Sequence, residues 1–512
     1  MRFPRYQRDF VEASRFISDL KKDPDDFSLL LEFHKFLIRK IVKEEKRIHR
    51  LKKARSRLKK IKGSGKLNKI KSKGIKEVLK KIDPRLRARR ELIVTWRFFG
   101  DGIANIYVPN SNLKVLYYDD DYNVKEDAGF ISGKEGFRQE WKVFKMGLQY
   151  NVPVVLSDIT NVIRHGDVCA LGMSDPVPIE VKRKMHKNPG ARVSRQLLEL
   201  QKLSEFYRND YAPSFKNGLD AYRVENRGEE ITYYEDINYL IKQSLIDGYA
   251  SKEVEKGLVY FCVRTDLPKQ QLENAMKHFI DVDFGESTLI HSLTPEEDWG
   301  TAYPFTLSLE KEALVAFLQN DISICILTDL QEVRAEFLRN NVHAVFIMDG
   351  QSAIQICLDP NDLTLGAQRI SEQYFNRAII GFNSLKAFSI ESSRLLHELS
   401  DPRQKVVDVR IKNSILNVSM LNEWSNVKDV LIKKIERALI MSENIRKKFS
   451  IPDNHTIEQV SMEWKGLRKG RDNDEYVYHQ LDESGSVVAI YDEVHSTSAY
   501  PPFSTSITVT KR

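Results

Sequence analysis

The sequence predicts an α/β protein of two or three domains, and three observations carry that prediction. The chain has 512 residues, more than one ordinary hydrophobic core organises. Apolar residues recur at helical spacing through residues 1–90, again at 137–148 and again at 197–207. Between and beyond these stretches lie short runs rich in β-branched residues, such as NVPVVLSD, PVPIEVK and DISICILTD, bounded by Gly, Pro, Asn and Asp. A hydrophobic fraction of 41% with 30% charged residues is that of a soluble globular chain. No apolar run is long enough to span a bilayer, and MRFPRYQRDF lacks the apolar core of a signal peptide. The expectation is a cytoplasmic protein without a membrane partner.

Residues 1–90 read as a helical region. RDFVEASRFISDL and FSLLLEFHKFLIRKIV carry apolar stripes, and the second continues into a strongly basic segment. Gly63 and Gly65 interrupt it, and Asp83-Pro84 is expected to end the next helix, which suggests a helical hairpin with a basic exposed face. Between Lys43 and Arg90 there are 22 Lys or Arg against 4 Asp or Glu, a balance of 22 − 4 = +18. The whole chain carries +8, so the remainder is 8 − 18 = −10. Such a segment neutralises phosphates without reading sequence. It holds no aromatic residue, which favours a duplex backbone over stacked single-stranded bases. A solvated face paired with the acidic remainder of this chain or of a second subunit is the bland alternative. GSGKL at 63–67 is not a phosphate loop, because position 60 is Lys, position 67 is Leu and the segment before it is helical.

Residues 91–225 change character. Phe137, Trp141, Phe144 and Leu148 make one helical stripe. NVPVVLSD and TNVIRHGDVCALG read as strands, MSDP as a turn, PVPIEVK as a third strand and SRQLLELQKLSEFYRN as a helix. The order is helix, strand, strand, strand, helix. From 226 to 512, GLVYFCVRT, DISICILTD, HAVFIMD and AIQICLD suggest strands. VRAEFLRNN and NVKDVLIKKIERALIMSENIRKKF suggest helices, and Asp349-Gly350 and the 476–496 region suggest hairpins. Cys169, Cys262, Cys325 and Cys357 are scattered in apolar runs and read as buried free thiols. His278, His343 and His397 fall in no metal-ligand spacing.

PVPIEVKRK, residues 176–184, carries the chemistry. Ile179 and Val181 suit one buried face, while Glu180 and Lys182 flank them. If residue 172 pairs with 177 around the turn, Asp167 stands opposite Lys182 and diagonal to Glu180, all three on one face. Two carboxylates so placed repel unless a cation lies between them. Mg²⁺, or Mn²⁺ in its place, suits hard oxygen donors and binds phosphate oxygens. Lys182 could then orient the attacking water or neutralise developing charge. Asp158 is too far from Glu180 for one short hairpin, and Asp175 reads as a turn residue before Pro176. Arg164, Arg183, Lys184, Lys187, Arg192 and Arg195 add cations where a polyanion would lie.

Asp167, then Glu180-Val181-Lys182 on the next strand, resembles the PD-(D/E)XK nuclease superfamily with its restriction-endonuclease-like fold. The resemblance spans roughly residues 135–208, about one sixth of the chain. It implies a mixed sheet flanked by helices at 91–225, with a basic helical region at 1–90 and an α/β accessory region at 226–512. It implies Asp167 and Glu180 as metal ligands, Lys182 as the water-orienting residue, Glu140 on the preceding helix as a further ligand, and Gln196 on the following helix as a positioning residue. The literal Pro-Asp is absent, since Gly166 precedes Asp167. Three other ExK copies, at 44–46, 140–142 and 463–465, lack this setting. The function implied is Mg²⁺-dependent hydrolysis of phosphodiester bonds, in duplex DNA, in prokaryotic defence against foreign DNA. A homo-oligomer or a defence-system partner protein would fit that setting. Alternatives are a non-catalytic nucleic-acid-binding scaffold with the same fold, and a nuclease directed at RNA.

Overall fold

The computed structural model describes residues 3–64, 68–117, 129–172, 175–181, 191–216, 219–223, 228, 230–281, 287–293, 305–349, 352–400, 446, 448–452, 454–468, 471–482, 486–498 and 505–511. The chain is mixed α/β and divides into two units, Met1–Trp424 and Ser425–Arg512.

In the first unit, α1 (Gln7–Lys22) buries Phe10, Ala13, Ile17 and Leu20, one face of an amphipathic helix. The next helix, α2 (Phe27–Gly63), begins where the Asp26 carboxylate accepts the Leu29 N–H at 2.9 Å. Asn68 caps α3 (Lys69–Tyr107) through Lys71 N–H, also at 2.9 Å. The pair forms the expected hairpin. Arg55 meets Asp83 at 2.9 Å and Arg89 meets Glu44 at 3.0 Å, so the two helices run antiparallel.

Two expectations are corrected here. Asp83-Pro84 does not end a helix, because α3 runs through it for 23 further residues, to Tyr107. Proline removes the bond to the carbonyl four residues back, but Lys80 and Pro84 are both exposed, so water serves that carbonyl. Burial of Leu92, Trp96, Phe99 and Ile103 beyond it holds the helix. From Thr95 to Ala104 every residue of α3 is buried, which is why that stretch lacks an amphipathic signature. The boundary expected at 90/91 therefore falls inside one continuous helix.

The expected helix–strand–strand–strand–helix order is present. Helix α4 (Phe137–Gln149) leads into β1 (Val154–Leu156), β2 (Val168–Ala170) and β3 (Val177–Ile179), and α5 (Ala191–Asn209) follows. The three strands form an antiparallel meander in the order β1-β2-β3. The next two strands, β4 (Tyr211–Lys216) and β5 (Leu219–Tyr222), pair only with each other. Every pairing among the described strands is antiparallel, so the described residues of 91–225 form no mixed sheet.

Beyond residue 230 the first unit continues. A sheet ordered β6-β7-β9-β8 uses Tyr249–Glu255, Leu258–Arg264, Ile322–Asp329 and Thr288–Leu293, with helices α6 (Tyr234–Asp247), α7 (Lys269–Asp281), α8 (Lys311–Leu318) and α9 (Leu330–Arg339). A third sheet joins β10 (His343–Phe346), β11 (Ser352–Cys357) and β12 (Ala367–Ser371), followed by α10 (Glu372–Ile380) and α11 (Leu385–Leu399). The hairpin expected near Asp349 is β10–β11, with Asp349 accepting Ser352 N–H at 2.7 Å. One buried cluster extends from Tyr6 to Leu396, so 226–400 shares the core of the residues before it. Cys169, Cys262 and Cys357 are buried free thiols, as expected, and Cys325 is partly buried.

The second unit is an antiparallel meander of β13 (Thr456–Arg468), β14 (Arg471–Leu481), β15 (Val487–Ser498) and β16 (Thr505–Lys511) around Ile451, Ile457, Tyr478 and Tyr491. The expected C-terminal hairpin is β14–β15. The helix expected over NVKDVLIKKIERALIMSENIRKKF lies almost wholly outside the described residues. Among the described residues no helix is long and apolar enough to cross a membrane.

Candidate active site

Three carboxylates from three elements surround one ammonium group. Glu140 lies in the first turn of α4, at a position shared by the Phe137/Phe144 stripe, and is 2% exposed. Asp158 lies in a single 3-10 turn, Ser157–Ile159, directly after β1. Asp167 immediately precedes β2. Lys134 Nζ stands 2.8 Å from Asp158 Oδ2, 3.1 Å from Asp167 Oδ1 and 3.0 Å from Glu140 Oε2. The first two contacts are hydrogen bonds. The third is an ion pair without hydrogen-bond alignment, so buried Glu140 Oε2 accepts no hydrogen bond.

The electrostatics follow from this crowding. Burial, together with the Asp167 and Asp158 charges, pushes Glu140 up to about 7 against the opposing pull of Lys134. Burial disfavours the charged form of Lys134, but Asp158, Asp167 and Glu140 outweigh it and raise its pKa.

Much of the first unit serves to position these groups. Glu45, fully buried on α2, accepts Ile131 N–H at 2.9 Å and Ser132 N–H at 2.7 Å, which fixes the loop that carries Lys134. Arg97 on α3 donates Nε to Asp158 O at 3.0 Å and a terminal nitrogen to Gly129 O at 3.3 Å, tying the two loops together. Asp101 accepts Asn161 N–H at 2.6 Å and Val162 N–H at 3.0 Å. Between them, Gly100 lets the turn dock. A Cβ there would stand 1.9 Å from Ile159 O. His34 of α2 packs on Phe144 of α4 at 4.3 Å between ring centroids, and burial lowers its pKa to about 4, so it packs as a neutral ring.

Asp167 is held from both sides. Its carbonyl accepts Ser157 N–H at 3.0 Å, its N–H donates to Ile179 O at 2.9 Å, and its Oδ2 accepts Val181 N–H at 2.9 Å. Gly166 has φ +73°, and a Cβ there would lie 2.9 Å from Ile179 N. Proline, fixed near φ −65°, cannot occupy that position. The missing Pro of the Pro-Asp pair thus has a local physical cause.

The expected hairpin register is corrected. Val168 pairs with Ile179 and Cys169 with Pro178, so paired numbers sum to 347 where 349 was expected. The shift is two residues, which preserves the faces. The residues just beyond the ladder are then Asp167 and Glu180, adjacent where a diagonal was expected. Glu180 is half-buried. The apolar face of β3 is less covered than expected, with Ile179 36% and Val177 46% exposed.

The remaining expected residues separate into three groups. Lys182, Arg183, Lys184 and Lys187 lie outside the described residues, as does the side chain of Arg192. Gln196, on α5, is half-buried and makes no hydrogen bond among the described residues. Arg195 is exposed, 3.8 Å from Glu199. Arg164 is a structural residue, since its Nε donates to Asn161 O and its guanidinium lies 5.8 Å from the Tyr117 ring centre. Asp175 is a turn residue as expected, bound by Arg223 and by Asn112 at 3.3 Å.

Lys134, Glu45, Arg97 and Asp101 are absent from the sequence expectation, and Asp158 enters it only as a rival to Asp167 that is rejected. Asp158 was set aside because the reading considered only the β2–β3 hairpin, whereas β1 is hydrogen-bonded to β2 and brings it alongside. Glu45 had a legible signal. It falls with Glu44 between Ile41 and Ile48 on the buried stripe of α2, where a carboxylate needs partners. Lys134 had none.

Among the described residues, no three His, Cys, Asp or Glu side chains form a ready metal cluster. The ammonium takes up the space where the carboxylate oxygens face each other. The donor chemistry nevertheless fits a hard divalent cation, since the three groups facing Lys134 are all carboxylates, which a cation would bind by displacing the ammonium. No family model, no curated protein and no solved structure matches the chain.

Proposed function

We propose that Glu140, Asp158 and Asp167, with Glu180 beside them, form the divalent-metal site of a nuclease that hydrolyses phosphodiester bonds in duplex DNA, in defence against foreign DNA. The observation that carries this reading is the convergence of three carboxylates, from α4, the turn after β1 and the start of β2, next to β3 and the Glu180 that follows it. A bound Mg²⁺ or Mn²⁺ would supply charge for a phosphoryl oxygen and a water of lowered pKa. Asp167 is pre-positioned by three backbone contacts, and a cation would take its Oδ1 by displacing the Lys134 ammonium. Lys134 offsets part of the cluster's negative charge from a loop anchored by Glu45. Lys182, two residues past Glu180 in the sequence and outside the described residues, would take the water-orienting role that the resemblance implies. The basic α2–α3 hairpin offers phosphate contacts.

The test is cleavage of supercoiled plasmid with Mg²⁺, Mn²⁺ or chelator. Wild type cuts only with metal, and Asp167→Ala and Glu140→Gln, still folded, lose at least a hundredfold in rate. Cleavage of structured RNA but not of plasmid would redirect the reading to an RNA nuclease. A second reading has its own support. The Lys134 ammonium already occupies the space between the carboxylates, as it would in a scaffold that binds DNA without cutting. Salt-sensitive DNA binding that ignores metal and survives both substitutions selects that reading.

A further inference from the structure

The α2–α3 hairpin contains a second concentration of charge, opposite in sign to the first. Where the N-terminal turn meets α2 and α3, a cavity of about 470 Å³ is lined by Arg5, Arg47, Arg50, Leu51, Arg85 and Arg89. A single buried carboxylate stands behind it. Glu44 is fully buried and accepts from Tyr6 Oη at 2.7 Å, Arg47 at 2.7 Å and Arg89 at 3.0 Å. Arg47 and Arg89 also donate to Tyr6 Oη, at 2.5 and 2.8 Å. These bonds fix two guanidinium planes in place before any ligand arrives. Arg5, Arg50 and Arg85 are exposed and make no hydrogen bond or ion pair among the described residues.

The charge count is five guanidinium groups less one carboxylate, so 5 − 1 = +4. Like charges gathered around a concavity repel, and nothing among its lining residues compensates them. Each guanidinium carries five N–H donors, and even Arg47 and Arg89 use only part of theirs on Glu44 and Tyr6. Forked donors of this kind match phosphate oxygens in pairs. The lining has no aromatic ring to stack a base, so the site reads phosphate and not nucleobase. Its volume falls within the ~300–1,000 Å³ of small-ligand pockets. A duplex backbone spreads its charges along a convex surface, whereas a triphosphate brings about four negative charges into one such space.

We propose that this cavity binds an oligophosphate, either the triphosphate tail of a nucleotide or a short inorganic polyphosphate. The proposal does not rest on the nuclease reading, since no member of the carboxylate cluster lines the cavity.

The test is calorimetric titration of the full-length protein in metal-free buffer at moderate salt. The probes are sodium tripolyphosphate, ATP, AMP and a short DNA duplex. The variants are Arg50→Ala/Arg85→Ala, whose side chains have no structural partner to lose, and Lys59→Ala/Lys60→Ala on the same helix outside the cavity. Tripolyphosphate should bind at one site, at least tenfold more weakly to the arginine variant and unchanged by the lysine control. ATP binding like tripolyphosphate, with AMP silent, supports a site for the phosphate chain itself. ATP binding far more tightly supports a nucleotide as the source. Tripolyphosphate and ATP both failing to bind, or binding the arginine variant as well as wild type, overturns the proposal. Duplex binding lost in the arginine variant while tripolyphosphate stays silent also overturns it and assigns the cavity to a nucleic-acid backbone. No arm involves cleavage or metal, so failure here leaves the nuclease reading where it stood.

Discussion

Lys134 and Asp101 show how single side chains set the behaviour of the candidate site. Lys134 is 27% exposed and offsets three carboxylates, so its removal leaves them facing one another. Lys134→Ala should cost on the order of 2 kcal/mol, below the figure for a wholly buried pair because solvent reaches the ammonium. Millimolar Mg²⁺ should restore that loss, giving the variant a larger metal-induced rise in melting temperature than wild type. A variant as stable as wild type and indifferent to metal would remove the cluster from consideration as a cation site. Asp101 offers a test by pH. Burial raises its pKa from 3.8 to about 6, against the hydrogen bonds it accepts. The folded state therefore holds its proton more tightly than the unfolded state does, and its contribution to stability falls as pH rises from about 4 to 6. Two units amount to about 3 kcal/mol. Asp101→Asn has no proton to lose, so its stability relative to wild type should climb over that interval and level off above it. Denaturant melts at pH 4.5 and pH 7 measure the difference, and parallel pH curves would contradict the assignment. The sequence displayed Asp167, Glu180 and Glu140, because a strand hairpin and a helical stripe constrain each of them. Lys134, which meets them only after the whole first unit has packed, left no trace in it.

At the scale of elements, strands and hairpins were legible wherever alternation and turn residues agreed, as in β7, β9 and β10–β11. Helix α3 was not, and the reason is packing. Its second half is buried on every side, so no stripe distinguishes it, and Pro84 falsely punctuates it. That half is also what places Asp158, through Gly100, Asp101 and Arg97. Gly100→Ala sets a methyl 1.9 Å from Ile159 O, a backbone atom that cannot rotate away. The expected cost is about 3 kcal/mol or more, as for overpacking that forces backbone to move. Thermal melting should show it, and hydrogen exchange should rise at residues 157–163. An unchanged melting temperature would mean that α3 does not fix this turn. The two-residue error in the β2–β3 register has a comparable origin. A turn counted from Gly172 and Pro176-Val177 gives the expected register, while Gly166 at positive φ and the bond from Asp167 N–H to Ile179 O set the real alignment.

At the scale of the molecule, composition announced more than one unit but placed the boundaries wrongly. Charge and apparent pattern change near residue 90 and again near 225, yet one core runs from Tyr6 to Leu396. The units divide between Trp424 and Ser425, and the described residues of the second form a small β meander with its own core. Tyr491 is the centre of that core, fully buried, with its hydroxyl bonded to Gln480 at 2.7 Å. Tyr491→Ala should destabilise the second unit by about 3–5 kcal/mol, in line with other large-to-small aromatic changes. Hydrogen exchange should then rise across 456–511 and stay constant across 137–181. A rise in both would join the units energetically. Within the first unit, α2 carries two carboxylates in succession that serve opposite ends of its surroundings. Glu44 anchors the arginine cavity and Glu45 anchors the loop bearing Lys134. Consecutive helical residues differ in direction by about 100°. Insertion or deletion of one residue in α2 ahead of them would turn both carboxylates away together and disable both sites at once. Past Arg50 the described residues of the same helix carry no buried carboxylate, and the contact to α3 there is the exposed Arg55–Asp83 pair. Natural length variation in this hairpin should therefore accumulate at its tip and be absent from its base.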